Sequence, residues 1–208
     1  MAALIEAAAA ADYPAEIVLV VSNRADALGL ERAKAAGIAT VVIESKPFGK
    51  DRTAFEAALQ RVLDQHRIEL ICLGGFMRLF TAAFAQSWYG RMLNIHPSLL
   101  PSFPGLDPQG QAMRAGVKIS GATVHFVIAK TDAGPILMQG AVAVSDYDSA
   151  ETLSERILEV EHRIYPDALR LLATGAVRLE GEICKTPDSA GSGNFLISPV
   201  AGADGTSA

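Results

Sequence analysis

Apolar residues fall along this chain in short runs, separated by segments of helical period. Met1 to Ala11 is an alanine-rich apolar stretch broken by Glu6, which predicts a helix ending before Pro14. Glu16 to Val21 (EIVLVV) is a continuous β-branched run. Ala25 to Ala36 has helical character, with Gly37 placed to stop it. Thr40 to Ile43 (TVVI) is a second strand-like run. In Asp51 to His66, Phe55, Leu59, Val62 and His66 fall on one stripe, which predicts an amphipathic helix. Leu70 to Leu73 (LICL) and Met92 to His96 (MLNIH) are further apolar runs, with a short helix expected between them at Thr81 to Trp88.

Strands apolar on both faces suit a parallel sheet covered by helices. The alternation therefore predicts an α/β chain, a doubly wound and mostly parallel sheet with right-handed crossovers. After Pro97 the pattern changes. Pro97, Pro101, Pro104 and Gly105 make a stretch that cannot be a strand interior. A short helix (Gln109 to Ala115) follows, then strands at Ala122 to Val127 and Ile136 to Val144. Ser149 to Ala173 carries a long apolar stripe of Leu153, Ile157, Val160 and Ile164, which Pro166 should kink or split. From Thr186 onward Gly, Ser, Ala and Asp dominate. The expected organisation is one domain over residues 1–185 and a flexible polar tail over 186–208.

Composition narrows the function classes. Half of the 208 residues are hydrophobic and 20% are charged, with a mean hydropathy of +0.26. A core is affordable at this length, and a largely disordered chain is excluded. The net charge is -5, so no general attraction to a phosphate backbone exists and no nucleic-acid partner is expected. The apolar opening is too short to span a bilayer and lacks a basic leader, so no membrane partner is expected either. Cys72 and Cys184 form no C-x-x-C pair. They read as free thiols in a reducing compartment, and the cytoplasm is the expected location.

Ligands of open α/β sheets sit at the carboxyl ends of the strands. Two such ends carry chemistry: Gly74-Gly75-Phe76-Met77-Arg78-Leu79 and Asn94-Ile95-His96-Pro97. Asn94 and His96 share one strand face. An amide and an imidazole side by side can donate to one developing oxyanion, or can simply cap a strand end. Asp132, in Thr131-Asp132-Ala133-Gly134-Pro135, is either a turn former or a carboxylate that stabilises a charged His96. His125 reads as a supporting residue behind that pair. His66 and His162 carry no clear role. The four histidines show no metal-ligand spacing, so no metal is expected. No glycine-rich dinucleotide or phosphate motif of the usual kinds occurs.

The segment Asn94 to Leu106 (NIHPSLLPSFPGL) and the D-x-G-P-I pattern at Asp132 to Ile136 together resemble the signatures of the folate-dependent formyltransferases. Ser22 to Ile38, Gly75 to Phe80 (GFMRLF) and Glu161 to Pro166 (EHRIYP) are similar to the branch of that family that acts in purine synthesis. The resemblance covers roughly Met1 to Leu179. It implies a Rossmann-like formyltransferase fold and transfer of a formyl group from 10-formyltetrahydrofolate to the amine of glycinamide ribonucleotide. It assigns catalysis to Asn94, His96 and Asp132. Folate contacts fall on Arg52, Met77, Arg78, Leu79, Phe80 and Asn94, and contacts to glycinamide ribonucleotide on Gly75 and Glu161. It implies no metal, and a monomer or weak homodimer.

The chain departs from that family at three places. The family opens with a strand and a Gly-Ser-Asn-type loop that holds the substrate phosphate, and Met1 aligns inside or just after that loop. A strand and loop of about 10–15 residues are thus expected to be lacking. Asp107-Pro108-Gln109 stands where the family often has histidines, and Gly74 where it usually has alanine. Two other readings stay open: a formyltetrahydrofolate hydrolase, and an inactive folate-binding fragment. A methionyl-tRNA formyltransferase would need a C-terminal tRNA-binding domain.

Overall fold

The computed structural model describes residues 1–186 and 196–198. Helix α1 (Ala2–Ala8) leads into β1 (Leu19–Ser22), α2 (Leu28–Ala35) and β2 (Ala39–Val42). A 3₁₀ turn at Lys46–Phe48 precedes α3 (Arg52–Gln65), β3 (Ile71–Leu73), α4 (Ala82–Ser87) and β4 (Met92–His96). Then come α5 (Pro108–Ala115), β5 (Ile119–Phe126), β6 (Ile136–Ala143) and α6 (Ala150–Ala173). Two short strands, β7 (Arg178–Glu180) and β8 (Ile183–Lys185), form a hairpin across Gly181, and β9 (Leu196–Ser198) follows.

The α/β alternation expected over the first half is present. β1 pairs with β2 in parallel, and β3 pairs with β4 in parallel. The expectation of a mostly parallel sheet is corrected beyond β4. The five-stranded sheet has the order β3-β4-β5-β6-β9, and β4-β5, β5-β6 and β6-β9 are antiparallel. The loop between β5 and β6 is too short for a helical crossover, so these strands can only return as a hairpin. The sheet is therefore mixed.

Among the described residues, β1 and β3 are each paired on one side only. Their apolar side chains still share one cluster. Val21 and Val41 pack with Ile71, Leu73, Met92 and Trp88 against Phe55, Leu59 and Leu63 of α3. The other face of the sheet packs on α6 through Leu153, Ile157, Val160 and Ile164, with Leu4 of α1 in the same cluster. Four such residues, each almost fully buried, contribute about 2 kcal/mol apiece before the entropy of ordering them.

Helix α6 is continuous across Pro166, so the expected split does not occur. The flanking Ile164, Tyr165, Ala168 and Leu169 are all buried, and this packing outweighs the one backbone donor that proline lacks. Ser149 and Thr152 close a reciprocal capping box at its start. Of the expected tail, residues 186 and 196–198 are described. Leu196–Ser198 is a strand beside β6, with Gly140 opposite Ile197. The sequence holds an apolar Leu-Ile pair there, which suits a sheet edge. Residues 187–195 and 199–208 lie outside the described residues.

Candidate active site

Strand β4 is paired on both sides, so its backbone is fixed by two neighbours. Met92 and Leu93 are fully buried in the sheet. Asn94 and His96 follow at its carboxyl end, two residues apart and on one face. The register sets Asn94 opposite His125 and His96 opposite Thr123 on β5. Cross-strand partners share a face and lie in reach of each other.

His125 is buried. Its Nδ1 lies 3.0 Å from the Phe126 carbonyl, which can only accept, so the proton sits on Nδ1. Burial pushes the imidazole below its usual range, against the opposing pull of the Phe126 carbonyl and Asp132. In the resulting neutral ring Nε2 is an acceptor, and Asn94 Nδ2 donates to it across 3.2 Å. The second Nδ2 proton of Asn94 is left for a ligand.

Asp132 is placed by the β5–β6 loop in a left-handed backbone conformation, with φ of 49°, which short polar side chains tolerate. Its carboxylate reaches between the two histidines. One oxygen lies 3.5 Å from His96 Nδ1 and the other 3.8 Å from His125 Nε2. The oxygen nearer His96 also accepts from the Gly105 amide at 2.8 Å. His96 Nε2 donates to the Phe103 carbonyl at 2.9 Å. A His96 ring carrying both protons faces an acceptor at each nitrogen. To donate from Nε2 to a substrate oxygen, the ring must exchange the Phe103 carbonyl for that oxygen.

The loop after β4 is held from below by a polar network that the sequence reading missed. Thr123 Oγ1 donates to the Ser98 carbonyl at 2.7 Å and accepts from the Leu100 amide at 3.0 Å. Gln139 Nε2 donates to Thr123 Oγ1 and to the Leu100 carbonyl, each at 2.9 Å. Ser98 Oγ donates to the Ser102 carbonyl at 2.6 Å. The available signal was the run of polar residues, Ser120, Thr123, His125 and Gln139, inside two otherwise apolar strands. The Asp107-Pro108-Gln109 departure begins α5, where Asp107 Oδ1 caps the Gly110 amide at 3.1 Å and Arg114 pairs with Oδ2. Asp107 is thus a helix cap.

The remaining candidates surround the ends of β3 and β4. Gly75 and Glu161 line a cavity of about 140 Å³ together with Met1, Gly74, Ile95 and Tyr165. Ile95 points to the face opposite Asn94 and His96, so this cavity lies on the α6 side. Burial pushes the Glu161 carboxyl up to about 7, and the Met1 α-amino group opposes the shift. One turn on, Tyr165 donates to the Leu73 and Leu93 carbonyls at 2.7 and 3.1 Å, tying α6 to both strands.

The stretch from Gly75 to Phe80 belongs to no helix or strand. Met77 is 75% and Leu79 55% exposed, large apolar residues open to a ligand. The Arg78 guanidinium lies over the Phe55 ring at 4.9 Å. Phe80 is committed inward, stacked between Phe76 and Phe84. Arg52 opens α3 and is exposed. Among the described residues, no group of three His, Cys, Asp or Glu side chains is arranged to hold a metal ion.

An amide, two imidazoles and a carboxylate gather where β4 ends, near an exposed apolar loop, and such a set of groups suits acyl-group transfer. The family model for formyl transferases matches residues 1–169, and the chain belongs to that family. Among its relatives, phosphoribosylglycinamide formyltransferase of Escherichia coli is 39% identical over 177 residues, covering 85% of this chain and 83% of that protein. The trifunctional purine biosynthetic protein adenosine-3 of Gallus gallus is 53% identical over 172 residues, 82% of this chain. The chain spans only 17% of that longer protein. Of solved structures, glycinamide ribonucleotide transformylase 1 from Symbiobacterium toebii superposes with a TM-score of 0.86 at 45% identity, covering 90% of this chain and 88% of the other. A formyltetrahydrofolate deformylase from Pseudomonas syringae is more distant, with a TM-score of 0.76 at 30% identity over 83% of this chain and 57% of the other.

Proposed function

We propose that this protein transfers the formyl group of 10-formyltetrahydrofolate to the amine of glycinamide ribonucleotide. The observation that carries the reading is the juxtaposition of Asn94, His96 and Asp132 at the end of β4, within a formyl transferase chain. The nucleotide's amine attacks the formyl carbon, and a C–N bond forms as the carbonyl oxygen becomes an oxyanion. The Asn94 amide and a protonated His96 donate to that oxyanion. One preorganised donor of this kind lowers the barrier by about 3–4 kcal/mol. Asp132 stabilises the charge on His96. The bond from carbon to folate N10 then breaks, and the proton lost by the attacking amine reaches N10 through His96 or water.

Folate is assigned to the exposed apolar Met77 and Leu79 with Arg78 on the same loop, and to Arg52, which opens the helix whose Phe55 lies under Arg78. Phe80 supports this surface from behind. Gly75 and Glu161 suit the nucleotide, because a carboxyl poised near neutral pH in a cavity can accept from an amine or a hydroxyl. In this reading residues 1–185 are the formyltransferase domain, the tail plays no part in transfer, and the protein acts in the cytoplasm as a monomer or weak homodimer. The chemistry calls for no metal.

The test incubates the protein with glycinamide ribonucleotide and 10-formyltetrahydrofolate and follows both products. Formyl-glycinamide ribonucleotide and tetrahydrofolate in equal amounts are expected. Formate released in place of the formylated nucleotide would make the protein a hydrolase. Absence of both the formylated nucleotide and formate would also overturn the reading.

A further inference from the structure

The loop from Gly75 to Phe80 presents exposed apolar side chains without being part of a helix or strand. Its side chains alternate. Phe76, Arg78 and Phe80 are half-buried, while Met77 and Leu79 point outward. Phe76 stacks near Phe55 at 6.4 Å and on Phe80 at 5.1 Å, and Arg78 lies over Phe55. The inward side therefore rests on α3. These contacts are apolar or face-on, and such contacts tolerate sliding.

One polar contact fixes the position. Glu56 is only 5% exposed, an uncommon state for a carboxylate. Both of its oxygens are used at the end of the loop. Oε1 accepts from the Thr81 amide at 2.6 Å, and Oε2 accepts from the Thr81 hydroxyl at 2.5 Å. The same hydroxyl accepts from the Phe84 amide and caps α4. Glu56 stands one turn after Arg52 on α3, on the same side of the helix. One carboxylate thus ties the helix that carries Arg52 to the loop that carries Met77, Arg78 and Leu79.

We propose that Glu56 is a positioning residue for folate, holding the 75–80 loop against α3 so that Arg52 and Arg78 keep a fixed separation. This rests on the assignment of folate to that surface. Directional, doubly charge-assisted hydrogen bonds suit the task, because a buried carboxylate loses heavily if either donor moves away.

The experiment measures binding of a non-transferable deazafolate analogue by calorimetry, with KM and kcat for both substrates. Glu56→Ala is expected to weaken analogue binding about tenfold, a loss of about 1.4 kcal/mol. Its KM for folate rises in step, while kcat at saturation and KM for the nucleotide stay within about twofold. Glu56→Gln keeps one acceptor and falls between Glu56→Ala and wild type. Thr81→Val keeps the amide bond and loses the hydroxyl bond, so it also falls between, and Thr81→Ser, which keeps the hydroxyl, behaves as wild type. If Glu56→Ala fails to fold, Glu56→Gln and Thr81→Val carry the comparison. Folded variants that bind the analogue as wild type does overturn the inference. A wild type that binds the analogue without transferring formyl overturns the proposed reaction and leaves the positioning role standing. A wild type that binds no analogue overturns both.

Discussion

Asn94 Nδ2 lies 3.2 Å from His125 Nε2, and the other nitrogen of that histidine is committed to the Phe126 carbonyl. The carbonyl fixes the tautomer, the tautomer makes Nε2 an acceptor, and the acceptor fixes which way the amide points. Asn94→Asp removes the donor and sets a carboxylate against the Nε2 lone pair. It is expected to lower kcat about 10²–10³-fold, the usual cost of one oxyanion donor. His125→Phe keeps Asn94 but frees it to rotate, so a smaller loss is expected. Steady-state kinetics on both variants, with circular dichroism to establish folding, make the comparison. A His125→Phe enzyme as fast as wild type would show that Asn94 needs no such support.

Asp132 sits between two histidines, and its role toward each differs. Near His96 one of its oxygens lies 3.5 Å from Nδ1, placed to offset positive charge on a ring that carries both protons. Toward His125 its charge only partly opposes the burial that holds that ring below its usual range. Asp132→Asn keeps the size and can still accept from the Gly105 amide, so the loop should stay in place. The charge opposite His96 is lost, and kcat is expected to fall at least about 10²-fold. KM for either substrate should change little. Pre-steady-state measurement of formyl transfer checks that the chemical step is the one slowed.

Much of this site was legible in the sequence, for a physical reason. Asn94 and His96 stand two apart at the end of an apolar run, and the period of a strand fixes their shared face. Asp132 was visible as a carboxylate in a turn, but its partner depends on where the β5–β6 hairpin folds back. That antiparallel return was not legible, because short apolar runs look alike in parallel and antiparallel sheets. Phe103, Gly105 and Glu56 were missed for another reason. The first two act through backbone atoms, which carry no sequence signature. Glu56 lies on a helix face that periodicity reads as a solvated charge, and only the fold shows Thr81 above it. Pro166 misled in the opposite direction, since local propensity was outweighed by the burial of its neighbours.

Glu161 gives a pH dependence of defined sign. Its carboxyl moves from an ordinary 4.5 up to about 7, because burial disfavours the charged form. The folded state therefore binds this proton more tightly than the unfolded state does. Its contribution to stability is fully present below about pH 4.5 and is lost as pH rises through about 7. The Met1 α-amino group, pushed below its ordinary value by burial, also faces this cavity, together with the side chains of His162 and Tyr165. Glu161→Gln removes the carboxyl's share. Urea unfolding from pH 4.5 to 7.5 is expected to show a shallower loss with rising pH in the variant. Parallel curves would show that Glu161 ionises freely.

The two glycines flanking the site should respond in opposite ways to one added methyl group. A Cβ on Gly134 would lie 1.8 Å from the Phe126 carbonyl oxygen. That oxygen is backbone and already accepts the His125 Nδ1 proton, so it cannot yield without disturbing the support of Asn94. Gly134 also stands two residues after Asp132, and displacing it moves the carboxylate. Gly134→Ala is expected to cost about 3 kcal/mol or more in stability, with kcat falling more than tenfold in whatever folds. Gly74 is the contrast. A Cβ there meets nothing nearer than the Met1 side chain at 4.0 Å, and its φ is not in the left-handed region. Gly74→Ala is expected to be neutral or to stabilise by about 0.4–1 kcal/mol, by restricting the unfolded chain. Thermal unfolding and kinetics on the pair test the argument. A Gly134→Ala protein as stable and active as the Gly74→Ala protein would mean that the Phe126–Gly134 approach is not a constraint on the site.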